Sequence, residues 1–211
     1  MSQTAQGTIK CTLIGDYDVG KTCPLTAYSD QEFPTEDVPT VSGTFAAPVV
    51  VRTVPYILGV FDTYAANLIS FLRASSGSSD PESDRLRPLT YPETVIFIVC
   101  FSVGSATSLS SVKDKWIPEA IHHCPGVPCV IAATQIDLRP PELKIKFRFP
   151  WQNKTAVQQD QQEGILITTA GGKKLTRELN AAAYVECSAK TLKGVQATKV
   201  RQFWQYLFNV P

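Results

Sequence analysis

The stretch GDYDVGKT, from Gly15 to Thr22, decides how the chain folds. It follows an apolar run, Ile9 to Ile14, with the length of a buried strand, and it leads into a short predicted helix, Lys21 to Tyr28. The stretch matches GxxxxGK[ST], and a strand before it and a helix after it are the context that a phosphate-binding loop requires. In such a loop, backbone N–H groups and the helix N-terminus surround a phosphate. Lys21 would reach the β- and γ-phosphates, and the Thr22 hydroxyl would bind Mg²⁺.

The rest of the chain alternates between strand-like and helix-like segments. Short apolar runs typical of buried strands are followed by segments with helical spacing of apolar residues. Such alternation predicts an α/β fold in which helices cover both faces of a mostly parallel sheet. The predicted segments are Phe45 to Arg52 and Val54 to Phe61 (a hairpin), Val95 to Val103 (strand), Leu109 to His123 (helix), Cys129 to Thr134 (strand), Lys173 to Asn180 (helix), Ala183 to Glu186 (strand) and Val195 to Phe208 (helix).

Composition narrows the functional classes. The chain has 211 residues, with 20 Lys+Arg against 19 Asp+Glu and 44% hydrophobic residues. A chain of this length and hydrophobic content is expected to form one domain, residues 8–211, after a flexible tail, residues 1–7. The balanced charge argues against nucleic acid as a partner. No apolar run approaches the roughly 20 residues that cross a bilayer, and the polar start lacks the core of a signal peptide. We expect a monomeric, cytoplasmic protein whose six cysteines are reduced thiols.

Two short motifs in the second half of the chain predict a base-recognition site. Thr134-Gln135-Ile136-Asp137 lies at the C-terminal end of a predicted strand, where ligands bind in open α/β sheets. The Asp137 carboxylate can accept hydrogen bonds from the N1–H and the exocyclic amino group of guanine, a pair of donors that adenine lacks. Ser188-Ala189-Lys190 follows the last predicted strand and can offer a backbone N–H to guanine O6. After a phosphate loop, the two motifs in this order predict binding of GDP and GTP.

With these motifs the chain resembles a Ras-superfamily small GTPase, specifically the Rho family and its Rac-like branch. The resemblance covers nearly the whole chain and implies a P-loop NTPase small G domain with a six-stranded sheet, five principal helices and a Rho-type insert. The stretches that carry it are IKCTLIGDYDVGKTC, FPTEDVPTV, DRLRPLTYPET, CFSV, KWIPEAIHHCPGVP, TQIDLR and YVECSAK.

The resemblance also implies roles for individual residues. Thr40 would close on Mg²⁺ and the γ-phosphate, Asp62 would lie behind the metal, and Phe33 would pack against guanine. Thr22, Thr40 and Asp62 form the implied metal set. The implied nucleotide-binding set is Gly15, Asp16, Tyr17, Asp18, Val19, Gly20, Lys21, Thr22, Cys23, Phe33, Thr40, Thr134, Gln135, Asp137, Leu138, Ser188, Ala189 and Lys190.

Departures from the family pattern gather around the γ-phosphate. Tyr17 replaces a glycine that lies against this phosphate, and Asp18 adds a carboxylate to a loop that must hold a polyanion. Ala66 replaces the glutamine that orients the attacking water, so ordinary water positioning is lost. The catalytic set therefore reduces to Lys21 and Thr40, with Asn67, Tyr17 or Asp18 as candidates for positioning water in another way.

Two segments are longer or more polar than the alternation predicts. Residues 67–84 form an extended switch II loop, and its Ser-rich stretch Ala74 to Ser83 is expected to be mobile. Residues 139–164 lie where Rho proteins carry their insert and combine basic side chains with aromatic ones. This excursion could contact acidic lipid or a partner protein, or it could be a solvated insert pinned by its aromatics; we favour the solvated insert.

Two functional hypotheses stay open. The first is a Rho-like switch that cycles between GDP and GTP with slow hydrolysis. Its exchange factors, activating proteins and effectors would use non-standard contacts, because Asp37, Ser42 and Gly43 alter the effector loop. The rival is a pseudo-GTPase that keeps nucleotide as a structural ligand and serves as a scaffold. A kinase on the same phosphate loop lacks an evident lid or acceptor pocket. Phe203 to Pro211 carries no prenylation signal, so membrane association would require a lipidation signal missing here.

Overall fold

A six-stranded sheet organises the molecule. The computed structural model describes residues 7–30, 32–33, 44–51, 54–62, 87–140 and 166–195. The strands are β1 (Thr8–Gly15), β2 (Thr44–Val51), β3 (Val54–Asp62), β4 (Ile96–Ser102), β5 (Cys129–Thr134) and β6 (Ala183–Glu186). Their order is β2-β3-β1-β4-β5-β6, and every neighbouring pair is parallel except the antiparallel hairpin of β2 and β3. The predicted α/β fold with a mostly parallel sheet is therefore confirmed.

Helices follow the strands as the alternation predicts. The α-helices are α1 (Cys23–Asp30), α2 (Ala106–Ser111), α3 (Ile117–His123) and α4 (Thr169–Glu178), and a π-helical turn, Val112–Trp116, joins α2 to α3. Short 3₁₀ turns cover Arg87–Thr90 and Ile136–Leu138. The helix predicted from Val195 to Phe208 lies, beyond Val195, outside the described residues, as does the Ala74 to Ser83 stretch. No helix in the described part of the chain is long and apolar enough to cross a membrane.

Strand β4, at the centre of the sheet, is almost entirely apolar because both of its faces are buried. Side chains alternate along a strand, so Phe97, Val99 and Phe101 belong to the core cluster on the side of α2 and α3. Ile98 and Cys100 belong to the cluster on the opposite side, against which Leu25 of α1 packs. Both faces are buried, as in other parallel sheets covered by helices. Beside α1, an apolar groove of about 550 Å³ extends toward Val195.

Three helices begin at residues that differ from the predicted ones. Helix α4 begins at Thr169, four residues before the predicted Lys173, although two glycines follow. The Thr168 hydroxyl caps it by accepting from the N–H of Gly171, at 3.1 Å. A Cβ on Gly172 would lie 2.4 Å from the Tyr184 ring, so glycine is what lets α4 pack against β6. The predicted start was wrong because this glycine serves a tertiary contact and does not break the helix.

Helices α1 and α2 also begin at residues other than the predicted ones, because of the hydrogen bonds at their N-termini. Helix α1 starts at Cys23 instead of Lys21, since the first helical N–H groups, those of Leu25 and Thr26, donate to the Thr22 carbonyl. Helix α2 starts at Ala106 instead of Leu109. The Ser105 hydroxyl caps it by accepting from the N–H of Ser108. The prediction relied on the spacing of apolar residues, so it missed this polar first turn.

Arg139, the first residue of the predicted insert, is held by several hydrogen bonds. Arg139 donates from Nε to the carbonyl of Ile167 at 2.8 Å, and from Nη1 to Thr169 at 3.0 Å and Glu186 at 2.8 Å. These bonds join the chain on either side of residues 141–165, which lie outside the described residues. Whether the insert contacts lipid, a partner or only water stays a prediction.

A buried ion pair fastens the 3₁₀ turn Arg87–Thr90 to helix α3. The Arg87 guanidinium donates two hydrogen bonds of 2.9 Å to the Glu119 carboxylate, one to each oxygen, and the Tyr91 hydroxyl donates to Glu119 Oε1 at 2.5 Å. Burial raises the pKa of the Glu119 carboxyl, but these hydrogen bonds and the Arg87 charge outweigh it, so the pKa is lowered overall.

We expect Glu119 to make stability dependent on acid pH. A carboxyl whose folded pKa is lowered stabilises the fold above its unfolded pKa, and this contribution is lost as pH falls through the folded pKa. The loss therefore begins near the ordinary glutamate value of about 4.3 and continues below it. Glu119→Gln should be less stable near neutral pH but should lose less on acidification, in urea unfolding at several pH values. Glu178→Gln, at an exposed pair with Lys174 of 3.8 Å, is the control and should keep the unaltered acid dependence.

Candidate nucleotide-binding site

The phosphate loop joins the end of β1 to the start of α1, and its shape depends on residues with positive φ. Gly20 has φ +76°, and Asp18 has φ +60°, a conformation that aspartate adopts more readily than most residues. Gly15 has φ +149°, and a Cβ there would lie 2.4 Å from the Cys100 carbonyl oxygen. Glycine at position 15 is therefore required by the close approach of β4, a reason that the motif alone does not contain.

The Lys21 side chain spans the inside of this loop. It is only 8% exposed, and its ammonium donates to the carbonyl oxygens of Gly15, at 3.1 Å, and Asp16, at 2.6 Å. Burial lowers the pKa of Lys21, and the nearby Asp62 carboxylate opposes that effect. A poorly solvated cation inside a phosphate-loop motif favours an anionic ligand.

Thr22 and Asp62 lie side by side, as the implied metal set requires. The Thr22 hydroxyl donates a short hydrogen bond to Oδ2 of Asp62, the last residue of β3, and the Asp62 side chain is buried. A hydroxyl and a carboxylate oxygen are hard ligands of the kind that Mg²⁺ prefers. These two residues therefore fit a magnesium site beside the phosphate loop.

Two residues of the phosphate loop are exposed to solvent, and a third is hydrogen-bonded to a residue outside the loop. Tyr17 is 76% exposed and stands next to exposed Asp18, so its side chain extends away from the core. Asp16 Oδ1 accepts a 2.8 Å hydrogen bond from the indole N–H of Trp116.

The Thr134-Gln135 motif fastens the phosphate loop to the end of β5. The Thr134 hydroxyl lies within hydrogen-bond reach of the carbonyls of Val19 and, at 2.9 Å, Phe101. Gln135 has φ +56°, and its side-chain N–H donates to the Asp18 carbonyl at 3.3 Å. Its side-chain oxygen accepts from the Ser102 hydroxyl at 2.5 Å. Both residues therefore stabilise the loop from the neighbouring strand end.

The two motifs predicted to bind the base lie in contact with each other. The buried Ser188 hydroxyl donates to Asp137 Oδ1 at 2.6 Å and accepts from the N–H of Thr191 at 3.1 Å. The N–H of Ile136 also donates to the Cys187 carbonyl, at 3.3 Å, which ties one loop to the other. Ser188 thus orients the carboxylate that would face guanine.

The remaining residues of the predicted set are placed as follows. Cys23 opens α1, Leu138 is exposed at the end of its 3₁₀ turn, Ala189 is buried beside Ser188, and Lys190 is exposed. Phe33 is 43% exposed. Thr40, Ala66 and Asn67 lie outside the described residues, so their assigned roles stay predictions.

Sequence reasoning missed Trp116 and Ser102 as neighbours of the site. Ser102 is the last residue of β4, at the sheet edge that ligands use in open α/β folds, and its position could have indicated a role. Trp116 lay within a predicted helix, where an aromatic residue is most simply a core residue. A buried indole N–H needs a hydrogen-bond acceptor, and that need was the available signal.

Comparison with family models shows which family the chain matches. The model described as "Ras family" matches residues 10–203. The matched region contains the whole phosphate loop, Asp62 and both base motifs. It also spans residues 67–84 and 139–164, the two segments that depart from the alternation.

Proposed function

The chain belongs to the Ras family, so it is a small GTPase that binds guanine nucleotide. Within that family, we propose that it is a Rho-like switch of the Rac-like branch with slow, atypical hydrolysis. One observation supports the nucleotide-binding part of this proposal. The Lys21-containing phosphate loop and the Asp137–Ser188 pair lie at the same edge of the sheet, so that one ligand with phosphates and a guanine base can contact both.

The phosphate end is held by this chain's own charges and N–H groups. Lys21 would leave the Gly15 and Asp16 carbonyls to reach the β- and γ-phosphates, and the loop N–H groups would surround them. Thr22 and Asp62, with Thr40, would hold Mg²⁺, which when bound spreads the negative charge of the phosphates. Ordering of switch I through Thr40 would then report the γ-phosphate to effectors.

Hydrolysis is proposed to be slow because the attacking water is poorly oriented. Hydrolysis requires a water in line with the γ-phosphate, and a side chain normally orients it. The methyl group of Ala66 offers no hydrogen bond, and Tyr17 lies at the loop position next to the γ-phosphate. An arginine supplied by an activating protein should fit poorly against the exposed Tyr17 ring. The GTP-bound state would therefore be long-lived.

A single-turnover assay with labelled GTP tests this proposal. Loss of one water-orienting hydrogen bond should slow hydrolysis roughly tenfold relative to an ordinary Rho protein measured in parallel. Asn67→Ala, Asp18→Ala and Tyr17→Phe serve as matched variants, since each removes one group that could orient water. A rate equal to the Rho standard would refute slow hydrolysis, and the variant that then abolished it would identify the substitute group.

The non-cycling pseudo-GTPase is the second candidate. The loss of the glutamine at position 66 favours it, while the retained Lys21, Thr22, Asp62 and Asp137 favour a working site. Nucleotide extraction from purified protein, paired with exchange and single-turnover assays with labelled GTP, separates the two. Bound nucleotide that neither exchanges nor turns over would establish a scaffold; exchange of GDP for GTP would establish a switch.

A further inference from the structure

Asp16 connects the phosphate loop to a helix far along the chain. Its carbonyl accepts the 2.6 Å hydrogen bond of Lys21, while its carboxylate accepts the 2.8 Å hydrogen bond of Trp116, a residue 100 positions away. The same residue therefore meets the phosphate-binding cation on one side and a buried indole on the other. Any tilt of Asp16 would move the carbonyl that orients the Lys21 ammonium.

We propose that Trp116 is a positioning residue for nucleotide binding, which holds Asp16 and with it the shape of the phosphate loop. This inference rests on the proposed function, because it assigns Trp116 to the binding of the same nucleotide. Trp116 would touch neither the nucleotide nor the metal. Its effect is on how firmly the phosphate loop keeps its binding shape, with and without the ligand, so its loss should speed dissociation.

The Trp116 indole is buried and contacts two cations. It is only 4% exposed, and the Arg87 guanidinium carbon and the Lys115 ammonium each lie 4.6 Å from its ring centroid. Arg87 is in turn held by both oxygens of Glu119. Cations over an indole face are attracted by the ring, and Arg87 cannot rotate away without breaking its ion pair. The ring plane, and with it the N–H direction, is therefore determined.

The helix that carries Trp116 is irregular at this point. Trp116 is the last residue of the π-helical turn Val112–Trp116, between α2 and α3. A π turn contains one residue more than an α-turn and so rotates the following side chains, and such turns are frequent at functional sites. Trp116 packs in the same core cluster as Val112, Ile117 and Ala120, and its indole N–H also reaches the phosphate loop. The irregular turn therefore accompanies a contact with the loop.

Dissociation of a fluorescent GDP analogue tests the proposal. Trp116→Phe keeps an aromatic ring beside the two cations but removes the N–H donor. It should speed dissociation about tenfold, as expected for a lost hydrogen bond to a carboxylate. Asp16→Ala removes the acceptor and should have a similar effect. The double variant should dissociate no faster than the single ones, since the two changes break the same bond.

Thr94→Val is the matched structural control. It removes a buried hydroxyl that lies 2.7 Å from the Thr12 hydroxyl, away from the phosphate loop. It should lower the thermal midpoint while leaving the dissociation rate unchanged. If Trp116→Phe behaves like this control, or if its effect adds fully to that of Asp16→Ala, the proposal is overturned and Trp116 is only a core residue. Failure of the unaltered protein to bind the analogue would instead overturn the proposed function, and the positioning role with it.

Discussion

Asp137→Asn should lower the affinity of the protein for GDP by about 10²–10⁴-fold and shift its preference to xanthosine diphosphate. The Asp137 carboxylate would accept two hydrogen bonds from guanine, each worth about 1.5–3 kcal/mol because the acceptor is charged. Tenfold in affinity corresponds to about 1.4 kcal/mol. An asparagine amide can accept only one of the two and places its own NH₂ donors against the amino group of guanine. Xanthine has a carbonyl at that position, which the NH₂ group can donate to.

Calorimetric titration of GDP, xanthosine diphosphate and ADP into both proteins measures this change. Ser188→Ala is the matched control, since it removes the 2.6 Å bond that orients Asp137 but keeps the carboxylate. It should weaken GDP binding less and should not create a preference for xanthine. Equal affinity of the unaltered protein for ADP and GDP would contradict a guanine site at Asp137.

Gly15→Ala should unfold much of the phosphate loop. The new Cβ would lie 2.4 Å from the Cys100 carbonyl oxygen and 3.2 Å from its carbonyl carbon, at a φ of +149° that other residues rarely adopt. Both contacts are with backbone, and Gly15 pairs with Cys100 in the ladder between β1 and β4, so neither partner can move cheaply. We expect a loss of roughly 2–5 kcal/mol in unfolding free energy, from overpacking and backbone strain together.

Gly126→Ala provides a control with similar backbone strain. Gly126 has φ +83°, but a Cβ there would meet no atom within 4 Å, so only the strain of about 1–2 kcal/mol should remain. Urea unfolding of all three proteins after removal of nucleotide isolates the clash, because bound GDP would stabilise each protein according to its own affinity. Gly15→Ala should also bind GDP more weakly, whereas Gly126→Ala should bind it normally. Equal losses for the two variants would show that the loop can move away from β4.

The strands and the motifs of the site could be predicted because their signals are local. Strands β5 and β6 begin and end at the residues predicted from short apolar runs, and the phosphate loop follows from the spacing of Gly15, Gly20 and Lys21 after a strand. Because parallel strands end at one edge of a sheet, the meeting of Asp137 with Ser188 was also predictable.

Only the tertiary structure decided the contacts between residues distant in the chain. The Trp116 bond to Asp16 spans 100 residues, and the Gln135 bond to Asp18 spans 117, separations over which periodicity carries no information. The early start of α4 likewise depends on Tyr184 lying over Gly172. Local patterns determine which elements form, because they depend on a few neighbouring side chains. Packing determines which side chains then meet, because that depends on how the elements fit together.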